Sequence, residues 1–393
     1  MNPISILQMF LGPGMFRHTI NISILAIICW IALKQFPEYS FLGYPLWISL
    51  IIVATIIIWR AGDFFEPAAE FIQKRRQLPE SVKAAVIDAI ASSFPEFCVA
   101  VIAVIMLGRA EVGISSIVGS ALYNVLVIPA AAGLIAKTPM TINREVIWRD
   151  NMYYFGVVLL LLAALVFPQF SVDVENPEPN TQYWGIMVAV VLLCAYFVYV
   201  LMLHHSFKKY KEQHVHDETM LETVVESKQE EYEEEGVKIT TEKQAWFWII
   251  GMMLVMGGAS HVLVEASLHL GELAGIDAVI MGFVVIAAGT SVPDTVLSVI
   301  SAQEGNYDAA ISNVFGSNIF DICVCLSIPI LIAMAMGGGP TPIVLPQVEL
   351  IWSLIGATLL AFYFFRSGYT LSKPESVILG GVYILIVVLS FTF

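Results

Sequence analysis

Ser92-Ser93-Phe94-Pro95-Glu96, followed by Gly119-Ser120-Ala121-Leu122-Tyr123-Asn124, sets a proline, hydroxyls and a carboxylate into sequence apolar enough for a membrane. Thr290-Ser291-Val292-Pro293-Asp294, followed by Gly316-Ser317-Asn318-Ile319-Phe320-Asp321, sets the same pattern again. Glu96 and Asn124 lie 28 residues apart and Asp294 and Asp321 lie 27 apart, so the two units keep register to within one residue. The chain is internally duplicated, and each copy carries groups that lipid-exposed sequence does not tolerate.

The surrounding composition sets the class. Of 393 residues, 58% are hydrophobic and 13% charged, and long apolar runs recur throughout. Spans are expected at residues 20–36, 44–61, 82–107, 112–136, 145–168, 183–203, 245–264, 274–301, 309–336, 348–366 and 375–392. Arg17 precedes the first, and no small-x-small cleavage pattern comes before Gln35, so a retained signal-anchor helix is expected over 1–40. Beyond it, 41–203 forms a first repeat, 204–243 an acidic loop and 244–393 a second repeat. The expected fold is an all-α polytopic membrane protein. It has a ten-helix core of two inverted-topology five-helix repeats and one extra N-terminal transmembrane helix.

The placement of Lys and Arg gives the orientation. With a cytoplasmic N-terminus, only Lys34 and Arg109 of the 19 basic residues fall at external ends. The 204–243 loop is then cytoplasmic and the C-terminus external. The Glu96 span runs outward and the Asp294 span inward, an inverted repeat of the kind that builds transporters. The expected protein is multi-pass in the lipid bilayer of a plasma or inner membrane, with no feature that suits nucleic acid.

The net charge of −14 belongs largely to one loop, where eleven acids between Glu212 and Glu242 face Lys228 and Lys238. A solvated linker is the plain reading, with a short helix from Asp217 to Gly236. A regulatory cation site at Glu231–Glu235 is the alternative, although a run of glutamates lacks EF-hand ligand spacing. Cys29, Cys98, Cys194, Cys323 and Cys325 lie in apolar spans as small hydrophobes, without CxxC spacing.

The chemistry lies in the repeats. A carboxylate at the centre of a membrane helix costs about 2.5–3.5 kcal/mol on insertion scales, so Glu96 and Asp294 must face protein, water or a cation. No Lys or Arg is near mid-span to neutralise them. Pro95 and Pro293 each remove a backbone hydrogen bond and break their helices, and carbonyls around Ala89 and Ala287 are expected to be freed into the same cavity. Such hard oxygen donors suit Ca²⁺ and Na⁺.

Asp321 is read as a further ligand and Asn124 as a ligand or an interhelical hydrogen bonder. Ser92, Ser93, Thr290, Ser291, Ser120 and Ser317 either ligate or bond back to their own helix carbonyls. Gly119 and Gly316 allow close helix contact or a bend. Asp88 has no acidic repeat counterpart and is read as an interfacial acid, with an extra ion or proton site as the alternative. His261, Glu265 and His269 share one face of a span and are read as a polar mouth.

The two segments resemble the α-repeats of the cation/Ca²⁺ exchanger superfamily, and the second is very close to the pattern in sodium/calcium exchangers. Asp294, Asp321 and Arg149-Asp150-Asn151 are similar to the potassium-dependent branch. The resemblance implies Na⁺/Ca²⁺ exchange, with the spans at 44–61 and 245–264 as a moving gate. Family members often carry a serine one turn after the first-repeat acid; here Ala100 stands there, while the second repeat keeps Ser298. Ser92 replaces the usual threonine, and Phe94 is bulkier than the usual aliphatic residue.

Glu96, Asp294 and Asp321 together carry up to three negative charges, which are costly to occlude when empty. Crossing is cheap only when cations fill the site, which favours obligatory exchange over a leak. Ca²⁺ and Na⁺ are cargo, with K⁺ or H⁺ as possible co-ions and no resident cofactor. A K⁺-coupled exchanger and a Ca²⁺/H⁺ exchanger are the alternatives. An intramembrane aspartyl hydrolase would show a GxGD element, which this chain lacks, so no enzyme is expected.

Overall fold

The computed structural model describes residues 11–36, 39–76, 89–174, 181–213, 239–344 and 347–391. Besides two short 3-10 turns at Ser40–Leu42 and Pro168–Phe170, eleven helices run in order among the described residues. They are α1 (Pro13–Gln35), α2 (Gly43–Arg76), α3 (Ala89–Ser92, then Phe94 to Met106), α4 (Ala110–Ile135), α5 (Arg144 to Val166), α6 (Ile186–Gln213), α7 (Glu242–Ala274), α8 (Ala278 to Thr290, then Val292–Gln303), α9 (Tyr307 to Ala335), α10 (Gln347–Arg366) and α11 (Lys373–Ser390). Among the described residues, eight helices are long and apolar enough to cross a membrane, and the bent α8 makes a ninth. α10 is a shorter apolar helix, as is the α3 piece Phe94–Met106. The described spans are all helical, and the chain is a multi-pass integral membrane protein.

Helix ends follow their capping residues. Thr241 accepts from the Gln244 N–H at the start of α7, and Gly275 ends that helix with φ 69°, where a side chain would be strained. Asp277 and Asn306 cap α8 and α9, and Ser372 with Glu375 forms a capping box on α11. α2 and α7 outrun the expected spans at 44–61 and 245–264, and α6 continues through the boundary expected at 204.

Burial is graded from the centre outward. In the apolar window of α4, 78% of residues are buried, against 17% in α1 and α11. α4 and α9 are the inner helices, and α1 packs from outside on α2 through Ala26, Cys29 and Leu46. Gly119 lets α4 approach α8: an added Cβ would lie 2.1 Å from the Phe283 carbonyl oxygen. Close contact, rather than a bend, is therefore the role of Gly119.

Two short antiparallel ladders tie the halves together. β1 (Met140–Thr141), after α4, pairs with β4 (Thr370–Leu371), before α11; β2 (Thr181–Trp184), before α6, pairs with β3 (Thr341–Val344), after α9. β1 and β3 hold matching places in the two repeats, as do β2 and β4. Each ladder therefore joins one element of each half, and the second is the first with the halves exchanged.

The cysteines divide by position. Cys29, Cys323 and Cys325 are buried as expected, but Cys194 is exposed on α6 and Cys98 is partly exposed. Asp88 and residues 214–238 of the acidic loop, including Glu231–Glu235, lie outside the described residues.

Candidate functional site

The helix breaks fall where the prolines place them. Ser93 (φ −85°, ψ 3°) and Ser291 (φ −79°, ψ 3°) leave helical geometry, and the two parts of α8 meet at 44°. Each break starts a new helix with proline in its first turn, where the missing N–H costs least. The same break puts an acid, Glu96 or Asp294, in that first turn, where the helix dipole favours negative charge.

The expected reason for carbonyl ligands at Ala89 and Ala287 is corrected. Both oxygens accept main-chain N–H groups at 3.0 Å, from Ser93 and Ser291 respectively. Thr290 Oγ1 also donates to the Ala287 oxygen at 3.2 Å, and Ser92 Oγ to that of Ala89 at 3.4 Å. The carbonyls that lose their i+4 donor to proline are those of Ala91 and Gly289.

Around the breaks the two repeats interlock. Ser93 Oγ lies 3.0 Å from Ser317 Oγ, and Ser291 Oγ lies 2.9 Å from Ser120 Oγ. Each pair joins the broken helix of one repeat to the inner helix of the other, and exchanging the repeats turns one pair into the other. Ser317 Oγ donates to Asp294 Oδ2 at 2.7 Å, and Ser120 Oγ stands 3.2 Å from Glu96 Oε1. Ser120 Oγ is also 3.4 Å from Asp321 Oδ2, so one hydroxyl with a single proton stands between two carboxylates. Ser92 lies beside Asp294 and Thr290 beside Glu96.

Every member is sealed from solvent: Glu96, Asp294, Asp321, Asn124, Ser93, Ser120, Thr290, Ser291 and Ser317 are fully buried, and Ser92 nearly so. Among the described residues, none of the ion pairs includes Glu96, Asp294 or Asp321. No group of three His, Cys, Asp or Glu side chains is placed to hold a metal alone among those residues. Any cation here must draw on hydroxyl, amide and carbonyl oxygens as well as acids, the donor set of Na⁺ and Ca²⁺. Glu96 Oε2 and Asn124 Oδ1 are buried without hydrogen-bond partners.

Two asparagines escaped the sequence reading. Asn318 accepts from Asn124 Nδ2 at 3.1 Å and donates to the Ala121 carbonyl at 3.1 Å; Ala121 is its own repeat counterpart. Asn313 donates toward Ser298 Oγ at 3.2 Å and Asp294 Oδ1 at 3.4 Å. Ser298 thus meets a brace of the acid. The signal for Asn313 was its spacing, since Asn313, Ser317 and Asp321 stand at i, i+4 and i+8 on one helix face.

His269 of the expected polar mouth stacks on Trp47 of α2 at 4.6 Å and lies 3.4 Å from Glu272 and 3.7 Å from Glu265. His261 Nδ1 is buried without a hydrogen-bond partner.

Comparison with known proteins matches this architecture. The profile of the family described as sodium/calcium exchanger protein matches the chain twice, over residues 46–204 and 244–392. Human sodium/potassium/calcium exchanger 5 is 25% identical, over 79% of this chain and 76% of its own length. Sodium/calcium exchanger MaX1 of Methanosarcina acetivorans is 24% identical, over 87% of this chain and 97% of its own. Among solved structures, the sodium-calcium exchanger NCX_Mj soaked with Na⁺ and Ca²⁺ shares the fold, with a TM-score of 0.59 at 17% identity, covering 87% of this chain and 98% of that one. That one profile matches both halves agrees with the duplication read from Glu96 and Asp294, and the chain belongs to the sodium/calcium exchanger protein family.

Proposed function

We propose that the chain is a secondary active antiporter that exchanges Na⁺ for Ca²⁺ across its membrane by alternating access. The observation that carries this reading is the sealed set of Glu96, Asp294 and Asp321, ringed by hydroxyl and amide oxygen and without an ion-pair partner among the described residues. Three buried acids without compensation are stable only when cations or protons fill the site. Ca²⁺ supplies two charges and Na⁺ one each, so emptying one ion type is coupled to loading the other.

The ligands in this reading are Glu96, Asp294, Asp321, Asn124, Ser92, Ser93, Thr290, Ser291, Ser120 and Ser317, with the Ala89 and Ala287 carbonyls joining once the Ser92 and Thr290 hydroxyls turn off them. The orphaned Glu96 Oε2 and Asn124 Oδ1 are the first oxygens free to meet an entering cation. α2 and α7 form the gate. α2 lies over the break of α8, with Gly62 against Pro293, and α7 lies over α3, with Gly257 against Cys98. Sliding this crossed pair as a unit would uncover the site on alternate sides. The N-terminus and the 204–243 loop are cytoplasmic and the C-terminus external, in a plasma or inner membrane.

Binding tests the reading directly. Ca²⁺ should raise the melting temperature of the purified protein in detergent, and Na⁺ should compete that rise away at constant ionic strength. A rise with Ca²⁺ that Na⁺ leaves intact would contradict shared occupancy. The same titration with K⁺ present tests the K⁺-coupled variant, which the similarity to human sodium/potassium/calcium exchanger 5 brings forward.

A further inference from the structure

The two halves of the site are not equally supported. On the second-repeat side, Asn313 Nδ2 points at three acceptors: Ser298 Oγ at 3.2 Å, Asp294 Oδ1 at 3.4 Å and the Asp294 main-chain oxygen at 3.5 Å. Three acceptors around one atom require the NH₂ side of the amide there. Ser317 and Asn124 hold the other carboxylate oxygen, Oδ2, at 2.7 and 2.8 Å. Both oxygens of Asp294 therefore have protein donors, and the carboxylate plane is fixed.

The first-repeat side lacks this brace. The repeat counterpart of Asn313 is Ser116, whose buried hydroxyl has no hydrogen-bond partner. The counterpart of Ser298 is Ala100. In place of a hydroxyl, Ala100 helps line a small apolar cavity with Gly113, Ile114 and Cys325. Glu96 correspondingly keeps Oε2 unpaired.

We infer that Asn313 is a positioning residue that fixes Asp294 for Ca²⁺, and that Ser116 and Ala100 leave Glu96 as the movable half of the site. Asn313 does not touch the ion in this account; it acts through Asp294. Fixing one carboxylate lowers the ordering cost of assembling a multidentate cage, which matters most for the cation that takes the most oxygen ligands. The movable Glu96 supplies the adjustment as ions of different number enter. The inference rests on the proposed exchange of Na⁺ for Ca²⁺.

The test uses the full chain in proteoliposomes, with Na⁺-driven ⁴⁵Ca²⁺ uptake measured across a range of Ca²⁺ concentrations. Loss of a hydrogen bond to a charged group predicts that Asn313→Ser raises the KM for Ca²⁺ about tenfold, with kcat changed by less than about threefold. Ser298→Ala, a milder change, should raise the same KM by a smaller factor. The combined Ala100→Ser and Ser116→Asn protein, which installs the missing brace, should lower the KM. That gain is an effect that damaged packing does not produce. An unchanged KM in Asn313→Ser and Ser298→Ala, or a loss confined to kcat, overturns the positioning role. Uptake by the parent chain that ignores Na⁺ overturns instead the exchange reading beneath it, so the two failures are distinguishable.

Discussion

Asn124 on α4 donates from Nδ2 to Asp294 Oδ2 on α8 at 2.8 Å, joining the amide of one repeat to the acid of the other. The same nitrogen lies within 3.2 Å of Ser317 Oγ and Asn318 Oδ1, while Asn124 Oδ1 has no partner. The amide thus partly offsets the charge of Asp294 and keeps an acceptor in reserve for a cation. Asn124→Leu removes both functions at similar volume. A hydrogen bond to a charged group contributes about 1.5–3 kcal/mol. Uptake at subsaturating Ca²⁺ should fall about ten- to hundredfold as the amide oxygen is lost, and the melting temperature without added ions should fall as well, because buried Asp294 loses a donor.

Gly119 tests how tightly the inner helices meet. A Cβ there would lie 2.1 Å from the Phe283 oxygen and 2.8 Å from Ala287 Cβ, so α4 and α8 must separate to admit it. Overpacking of this kind costs about 1–3 kcal/mol. Gly119→Ala should lower the melting temperature in detergent and depress transport, because Ala287 belongs to the break of α8. Gly251, whose added Cβ meets nothing within 4 Å, should accept alanine with both measurements unchanged.

Arg149 and Asp150 form a bidentate pair at 2.6 and 2.9 Å, and Ser312 Oγ adds a bond to Asp150 at 3.1 Å. Asp150 is fully buried. Arg149→Met leaves its charge uncompensated, which costs about 3–5 kcal/mol for a buried pair. Chemical or thermal unfolding should show a large drop for Arg149→Met, and Arg149→Met with Asp150→Leu should recover much of it. Ser312 adjoins Asn313, so the single variant should also disturb Ca²⁺ affinity.

The ladders offer a test of inverted topology. β1 and β3 hold the same place in the two repeats, so opposite insertion puts them on opposite faces of the membrane. Thr141→Cys and Pro342→Cys, each in a background with the exposed Cys194 replaced, should react differently with an impermeant maleimide. Pro342→Cys should label in intact cells, and Thr141→Cys only after permeabilisation. Labelling of both from one side would contradict the inversion.

Much of this was legible in the residues. Pro95 and Pro293 announce the breaks because a missing N–H has no remedy inside a helix, and Glu96 and Asp294 announce a cavity because lipid rejects a charge. The pairing of Ser93 with Ser317 and of Ser120 with Ser291 was not legible, since it depends on how the repeats cross. The Ala89 and Ala287 carbonyls were expected to be free on the wrong count: a proline spares the carbonyl four residues before it, which is Ala91 or Gly289. Asn313 was missed because its role requires knowing which face of α9 meets α8, although its spacing from Ser317 and Asp321 carried the hint. Cys194, inside an apolar run, gave no sign that it faces outward.

In the proposed exchange, Glu96, Asp294 and Asp321 form one site taken in turn by Na⁺ and Ca²⁺. The most direct measurement is ⁴⁵Ca²⁺ uptake into proteoliposomes loaded with Na⁺, with pH and membrane potential clamped, for the parent chain and Asp294→Asn. Uptake is expected only when Na⁺ is higher inside than outside, and should be lost in Asp294→Asn. Uptake that persists without a Na⁺ gradient, follows a pH gradient instead, or survives in Asp294→Asn would contradict it.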